Sequence, residues 1–183
     1  MPDTDPLPYD PGRGIPPDEK KIRQRLGAAM TDFVRWIAQS PGEMDDTMRE
    51  VKLAAFREVI DEAAAAGIEN ALPWHTYATW SDDGPERIEC FTRALACVEG
   101  KRDALLRVPG PKMDWSEVHT QADCLFEIGR VHFHEGDPAV ARDFLLRALP
   151  LAQEADRLRA AAGVTHEDTL EGRIAQLLLQ LPD

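Results

Sequence analysis

The sequence predicts an all-α protein of about seven helices stacked as antiparallel hairpins, and three observations point there. Apolar residues recur three and four positions apart through most of the chain, the period of a helix with one face buried. No stretch alternates apolar and polar residues for long enough to form a half-buried strand. Glycine and proline gather at separated points, in SPG (40–42), DDGP (82–85), PGP (109–111) and EGD (135–137), where helices of ordinary length would end.

The elements follow in order. Residues 1–17 hold six prolines (Pro2, Pro6, Pro8, Pro11, Pro16 and Pro17), which lack backbone donors and favour extended chain, so they read as a tail before one all-helical domain over 18–183. An N-terminal hairpin is expected over 18–67. Its first helix starts at Asp18, presents Ile22, Leu26, Met30, Phe33 and Ile37 on one face, and stops at Ser40-Pro41-Gly42. Its second, from Asp45 to Ala66, carries Met48, Val51, Ala55, Val59 and Ala63 on one side, with Gly67 placed for a left-handed cap.

A second hairpin is expected over 70–100. Pro73 suits the first turn of a short helix over ALPWHTYATW, and Pro85 the first turn of the next, because neither position needs an amide hydrogen. That next helix buries Ile88, Phe91, Leu95 and Val98 before Gly100, and residues 101–113 are ambiguous, since DALLRV could form a single turn before Pro109-Gly110-Pro111. In the third hairpin, 114–161, Asp114 and Glu117 have capping-box spacing, and Trp115, Val118, Ala122, Leu125, Gly129 and His132 form the packing stripe. After His134-Glu135-Gly136-Asp137 the returning helix carries Ala141, Leu145, Ala148, Ala152 and Ala155; Pro150 within it is expected to kink or restart the helix near Leu149. A last helix over 165–182, capped by Thr165 with Asp168, uses Leu170, Ile174, Leu177, Leu178 and Leu181 to close the apolar end of the stack.

The chain has 183 residues, of which 43% are hydrophobic, enough for a continuous core without metals or disulfides. With 21 Lys and Arg against 33 Asp and Glu, the net charge is -12. Nucleic acid and anionic membranes are therefore repelled, basic or neutral partners are favoured, and the charge also keeps the chain dispersed. Cys90 and Cys97 stand about 10 Å apart along one helix, too far for a disulfide, so with Cys124 they read as buried thiols of a reducing compartment. MPDTDPLPYD lacks a basic start and an apolar run, and nowhere do eighteen apolar residues run together, which predicts a cytoplasmic protein.

Small residues at Gly129, Ala141 and Ala148 stand where two antiparallel helices would cross, and there they let the backbones approach while Leu125, Ile128 and Leu145 interlock between them. Leu125-x2-Ile128-Gly129-x2-His132 followed by Ala141-x3-Leu145-x2-Ala148 resembles the tetratricopeptide repeat, a helix–turn–helix unit of about 34 residues. The resemblance covers 122 to about 155. CFTRALACVEG at 90–100 resembles the second helix of another unit, yet Arg87 stands where Ala141 does and the two RAL triplets lie 54 residues apart, so that repeat is degenerate. The family binds peptides or protein segments on the inner face of its first helices. Carried over, this implies a partner-binding stripe of Asp123, Phe126, Arg130, Phe133 and His134, about 100° round the helix from the packing stripe.

Catalytic and metal-binding sets are weaker. His132 and His134 point about 200° apart on a helix and do not share one ion. His119, Asp123 and Glu127 share a face at four-residue spacing and read as a solvated polar stripe. Cys124 has no histidine three or four positions away to activate it, and GRG at 12–14 lacks the lysine of a phosphate loop. Trp74, Tyr77 and Trp80, three apart, read as a core wedge or a partner-facing patch. The expected function is thus a non-enzymatic protein–protein interaction module without cofactor. One alternative is an acidic immunity protein neutralising a basic toxin. Another is a small-ligand sensor or enzyme with an interhelical pocket where His119, Cys124 and His132 converge.

Overall fold

The computed structural model describes residues 16–39, 46–106, 114–164 and 169–182. They form seven helices and, among the described residues, no strand: α1 (Pro17–Gln39), α2 (Asp46–Ala65), α3 (Ala71–Trp80), α4 (Gly84–Leu106), α5 (Trp115–His134), α6 (Pro138–Ala161) and α7 (Leu170–Leu178). Within each compact unit, helices adjacent in sequence pack antiparallel. The chain divides between Ile68 and Glu69 into two compact units. The proline-rich tail up to residue 15, the Ser40-Pro41-Gly42 stop, Pro109-Gly110-Pro111 and the Thr165–Asp168 cap lie outside the described residues.

The first unit is the α1–α2 hairpin. Pro17 is the first residue of α1, where its missing amide hydrogen costs nothing. Leu26 and Phe33 are buried on α1, and Phe33 stacks on Phe56 of α2 with ring centroids 4.9 Å apart. Of the expected face of α2 only Ala63 is buried: Met48 and Val51 are 47% and 59% exposed, while Leu53, Phe56 and Ile60 are buried beside it. Two helical stripes compete on α2, and the one carrying Phe, Leu and Ile removes more apolar area from water than one dominated by Val and Ala. Gly67 takes φ of 73° as the cap.

The second unit, α3 to α7, is built round α5, which packs against α4, α6 and α7. α3 is capped by Asn70, whose side chain accepts from the Leu72 amide, and buries Trp74 and Tyr77 against α4. α4 buries Cys90, Phe91, Ala94, Leu95 and Val98. It does not stop at Gly100 but runs to Leu106, with Lys101 paired to Glu117 at the start of α5. Gly100 thus sits inside a helix at a propensity cost of about 1 kcal/mol, too small by itself to end one. Asp114 caps α5 by accepting from the Ser116 and Glu117 amides; Glu117 turns to Lys101 instead of completing the box.

Between α5 and α6 the chain reverses through Gly136, at φ of 85°, and Asp137, which accepts from the Val140 amide ahead of Pro138. The two helices make the most extensive pairing among the described residues. Ala141, Leu145, Ala148, Ala152 and Ala155 are all at most 1% exposed. A Cβ added to Gly129 would lie 3.1 Å from Leu145 Cγ and 3.2 Å from the Ala141 carbonyl oxygen, so the close approach expected from small residues is present here. α7 is capped by Thr169 and buries Leu170, Ile174 and Leu177 against α5 and α6.

Pro150 lies inside α6, and the helix runs through it without restarting. Its ring is exposed, and Leu146, four residues earlier, is 54% exposed, so water reaches the side where a helical bond is lost. Pro150→Ala restores that bond and removes the ring clash, an effect of about 3 kcal/mol, and loosens the unfolded chain by about 1 kcal/mol. The expected net is a gain of about 2 kcal/mol in urea unfolding, with no change in far-UV circular dichroism at 222 nm beyond a small rise. A loss of stability would mean that the proline is needed for the curvature of α6.

Candidate functional site

The informative chemistry lies on α5. Of its expected packing stripe, Val118, Ala122, Leu125 and Gly129 are buried, while Trp115 and His132 are half-buried; Gln121, Cys124, Phe126, Glu127, Ile128 and Val131 are buried as well. A helix covered on so many sides normally carries apolar residues all round. α5 instead carries His119, Asp123, Glu127 and Arg130 along one edge.

This row is not solvated, contrary to the expectation from spacing alone. The Asp123 side chain is 17% exposed and the Glu127 side chain 10%. Each carboxylate is met by a group from another helix. His75 of α3 donates from Nε2 to Asp123 Oδ2 at 2.7 Å, its ring edge-on to Phe91. Arg87 of α4 donates from Nη2 to Glu127 Oε2 at 3.0 Å, and Arg130 donates to the same oxygen from Nε at 2.9 Å and Nη2 at 2.5 Å. Arg173 of α7 approaches Glu127 Oε1 at 3.5 Å and stacks its guanidinium 4.7 Å above the centre of the Phe126 ring. One carboxylate thereby ties α4, α5 and α7 together. Burial and the neighbouring Arg130 lower the Arg87 pKa against the pull of Glu127 and Asp82.

At the N-terminal end of the row, burial lowers the His119 pKa; Asp123 and Asp156 oppose this, while Arg159 and His75 add to it. For Asp123 burial acts to raise the pKa, but the His75 hydrogen bond and the charges of His75, His119 and Arg173 prevail and hold it below the usual carboxylate value. Asp156 and Arg159 on α6 pair at 2.6 Å. Both shifts mean that the unfolded chain binds protons more readily than the folded one, so stability present near neutrality is lost as pH falls. For His119 the loss begins near the unfolded value of about 6.5, and for Asp123 near about 3.9. Urea midpoints are expected to fall in two stages from roughly pH 6.5 downward, the upper stage absent in His119→Asn and the lower one reduced in Asp123→Asn. An upper stage unchanged in His119→Asn would assign it to another group.

The residues of the expected partner stripe are spread between cover and solvent. Asp123 is engaged by His75, and Phe126 is 4% exposed beneath Arg173. Phe133 is half-buried with its ring edge-on to exposed His134, and the Arg130 side chain is 39% exposed. Sequence spacing missed His75, Arg87 and Arg173, which reach the row from other helices. One signal existed: an arginine at 87, where the repeat pattern places alanine, calls for a buried counterion.

His119, Cys124 and His132 do not converge. His132 stacks on Phe144 of α6 with centroids 5.8 Å apart, and Cys124 is fully buried, its thiol pushed far up by burial and by Asp123. Burial and Asp123 thus favour the neutral thiol of Cys124 over its thiolate. Cys90 and Cys124 are buried and Cys97 is half-buried. Trp74 and Tyr77 are core residues, Trp74 under the Arg93 guanidinium at 4.6 Å, and Trp80 is half-buried. Among the described residues no three His, Cys, Asp or Glu side chains gather to hold a metal ion, and no helix is long and apolar enough to cross a membrane.

A separate open cleft of about 720 Å³ lies between the start of α3, the later turns of α4 and the first turns of α5. Leu72, Cys97 and Val98 line it together with Lys101, Glu117 and Thr120. No family model, curated protein or solved structure matches the chain.

Proposed function

We propose that the chain is a non-enzymatic binding protein that holds a protein or peptide segment against the α5 edge of residues 69–183. The observation that carries this reading is the convergence of Arg87, Arg130 and Arg173 on Glu127, with Arg130 and Arg173 about 40% open to solvent at 39% and 43%. A row that served packing alone would be apolar, because covering charged groups costs desolvation that ion pairing only partly offsets. Held at the rim, the same groups offer a partner oriented donors, with half-buried Phe133 and exposed His134 beside them. On this reading α5 is the first helix of a tetratricopeptide-like unit and α7 its closing helix, supported by the close approach of Gly129 to Ala141 and by the packing of α7 on α5 and α6.

The test is a stoichiometric complex, isolated from cell extract and measured by light scattering after gel filtration. Arg130→Glu with Phe133→Ser is expected to abolish it while leaving the circular dichroism spectrum intact. A complex retained by that double variant would place the partner elsewhere, and turnover of a small substrate by the pure chain would remove the non-enzymatic reading.

The charge of -12 favours a second reading, in which the partner is a basic toxin and the chain its immunity protein. An acidic surface attracts and orients a basic enzyme, so association would slow steeply with salt while the bound complex stayed stoichiometric. The cleft of about 720 Å³ favours a third, a small-ligand sensor, since its volume is that of an ordinary ligand pocket.

A further inference from the structure

We propose that Arg87, Arg130 and Arg173 form a phosphate site, the groups that remain open at the rim taking the oxygens of a phosphate or phosphomonoester. Elsewhere arginines meet single carboxylates, as in Arg23–Glu19, Arg147–Asp143 and Arg159–Asp156. Here three guanidiniums share Glu127. Two other carboxylates feel their field: Asp82 lies near Arg87, and Asp123, near Arg173, is already engaged by His75.

The donors are far from exhausted. Each guanidinium carries five N–H groups in a rigid fork. Glu127 accepts one hydrogen bond from Arg87 and two from Arg130. Arg87 Nε is buried with no hydrogen-bond partner. Arg173 reaches Glu127 only at 3.5 Å, and its side chain is 43% exposed over the Phe126 ring. The three arginines come from α4, α5 and α7 and meet at one carboxylate. A tetrahedral oxyanion accepts from several directions at once, whereas a planar carboxylate accepts in its own plane. A phosphomonoester also brings a charge of about -1.5 to -2, which three guanidiniums gathered at one place attract.

The inference rests on the binding reading in one respect, that the same edge of α5 meets the ligand. The phosphate has two sources, a free ion or small phosphomonoester, or a phosphorylated side chain of a partner. The test titrates the full chain by calorimetry, at constant ionic strength, with inorganic phosphate, with a phosphoserine peptide and with the same peptide unphosphorylated. Phosphate is expected to bind, and Arg130→Gln and Arg173→Gln, both at the open rim, are each expected to weaken it by about tenfold, with Arg173→Lys losing less. Tighter binding of the phosphopeptide than of inorganic phosphate assigns the source to a partner, and equal binding assigns it to the free ion. As a readout independent of heat, phosphate is expected to raise the melting temperature of the wild type but not of Arg173→Gln. Equal responses in wild type and variants, or none above a chloride control, would overturn the site. A partner complex that the Arg130→Glu, Phe133→Ser pair abolishes, in a chain that ignores phosphate, overturns the phosphate site alone. Phosphate binding with no partner complex overturns the protein-binding reading alone.

Discussion

Glu127→Ala is expected to lower the urea unfolding free energy of residues 69–183 by about 3 kcal/mol, read from tryptophan fluorescence and circular dichroism together. The side chain is 10% exposed and is the shared acceptor for guanidiniums from three helices. Its removal leaves Arg87, 19% exposed with an Nε already unpaired, as a covered charge without its hydrogen-bonded counterion. Breaking such a pair costs about 3–5 kcal/mol, and the lower end applies because Arg130 and Arg173 can turn to water. Mutual repulsion of Arg87 and Arg130, no longer screened by the carboxylate, acts in the same direction. Glu127→Leu combined with Arg87→Met is expected to recover most of the loss, since apolar residues of similar volume replace a covered ion pair at little cost or with a gain. A loss below about 1 kcal/mol in Glu127→Ala would show that the cluster behaves as a screened surface array.

The local parts of this fold were legible because their causes lie within one turn of the residues concerned. Gly136, Asp137 and Pro138 specify a reversal and a helix start by backbone conformation and capping, and Asp114 does the same for α5. Gly129 with Ala141 was legible because a close crossing demands small residues whatever else surrounds it. On α2 the reading failed where two stripes of similar spacing competed, and only side-chain volume, through Phe56 on Phe33, decided between them. Gly100 signals a stop by intrinsic propensity, yet α4 continues to Leu106, because propensity is a weak local force.

The candidate site was half legible for a different reason. Spacing placed His119, Asp123 and Glu127 on one edge of α5, but their solvation depends on which helices flank that edge. His75, Arg87 and Arg173 stand 48, 40 and 46 positions from their carboxylate partners. No periodicity within α5 encodes that distance. A charged row on one helix and isolated arginines on others become a site only once the helices are stacked, and the only local trace was Arg87 in a packing position.

Gly129→Val is expected to destabilise the same unit by about 3 kcal/mol, the second large effect, because it tests the crossing that places α5 under its neighbours. The first added carbon meets Leu145 Cγ at 3.1 Å, Leu145 Cδ2 at 3.3 Å and the Ala141 carbonyl oxygen at 3.2 Å. Leu145 can change rotamer, but the carbonyl belongs to the backbone of α6 and moves only if the helix moves. Valine adds two γ carbons beyond that point and, being β-branched, has one favoured rotamer in a helix with which to avoid the contact. Gly129→Ala separates the opposing effects: alanine gains about 1 kcal/mol of helix propensity and loses a similar or larger amount to crowding, so its net is expected within about 1 kcal/mol of zero. Leu145→Ala alone is expected to cost about 3 kcal/mol through the cavity it leaves. In that background Gly129→Ala meets only the carbonyl, so it should become stabilising, with a coupling of about 1 kcal/mol in the double-mutant cycle. Additive effects, or tolerance of valine within about 0.5 kcal/mol, would mean that α5 and α6 do not touch through Gly129, and the edge of α5 that carries Glu127 would lose its fixed support.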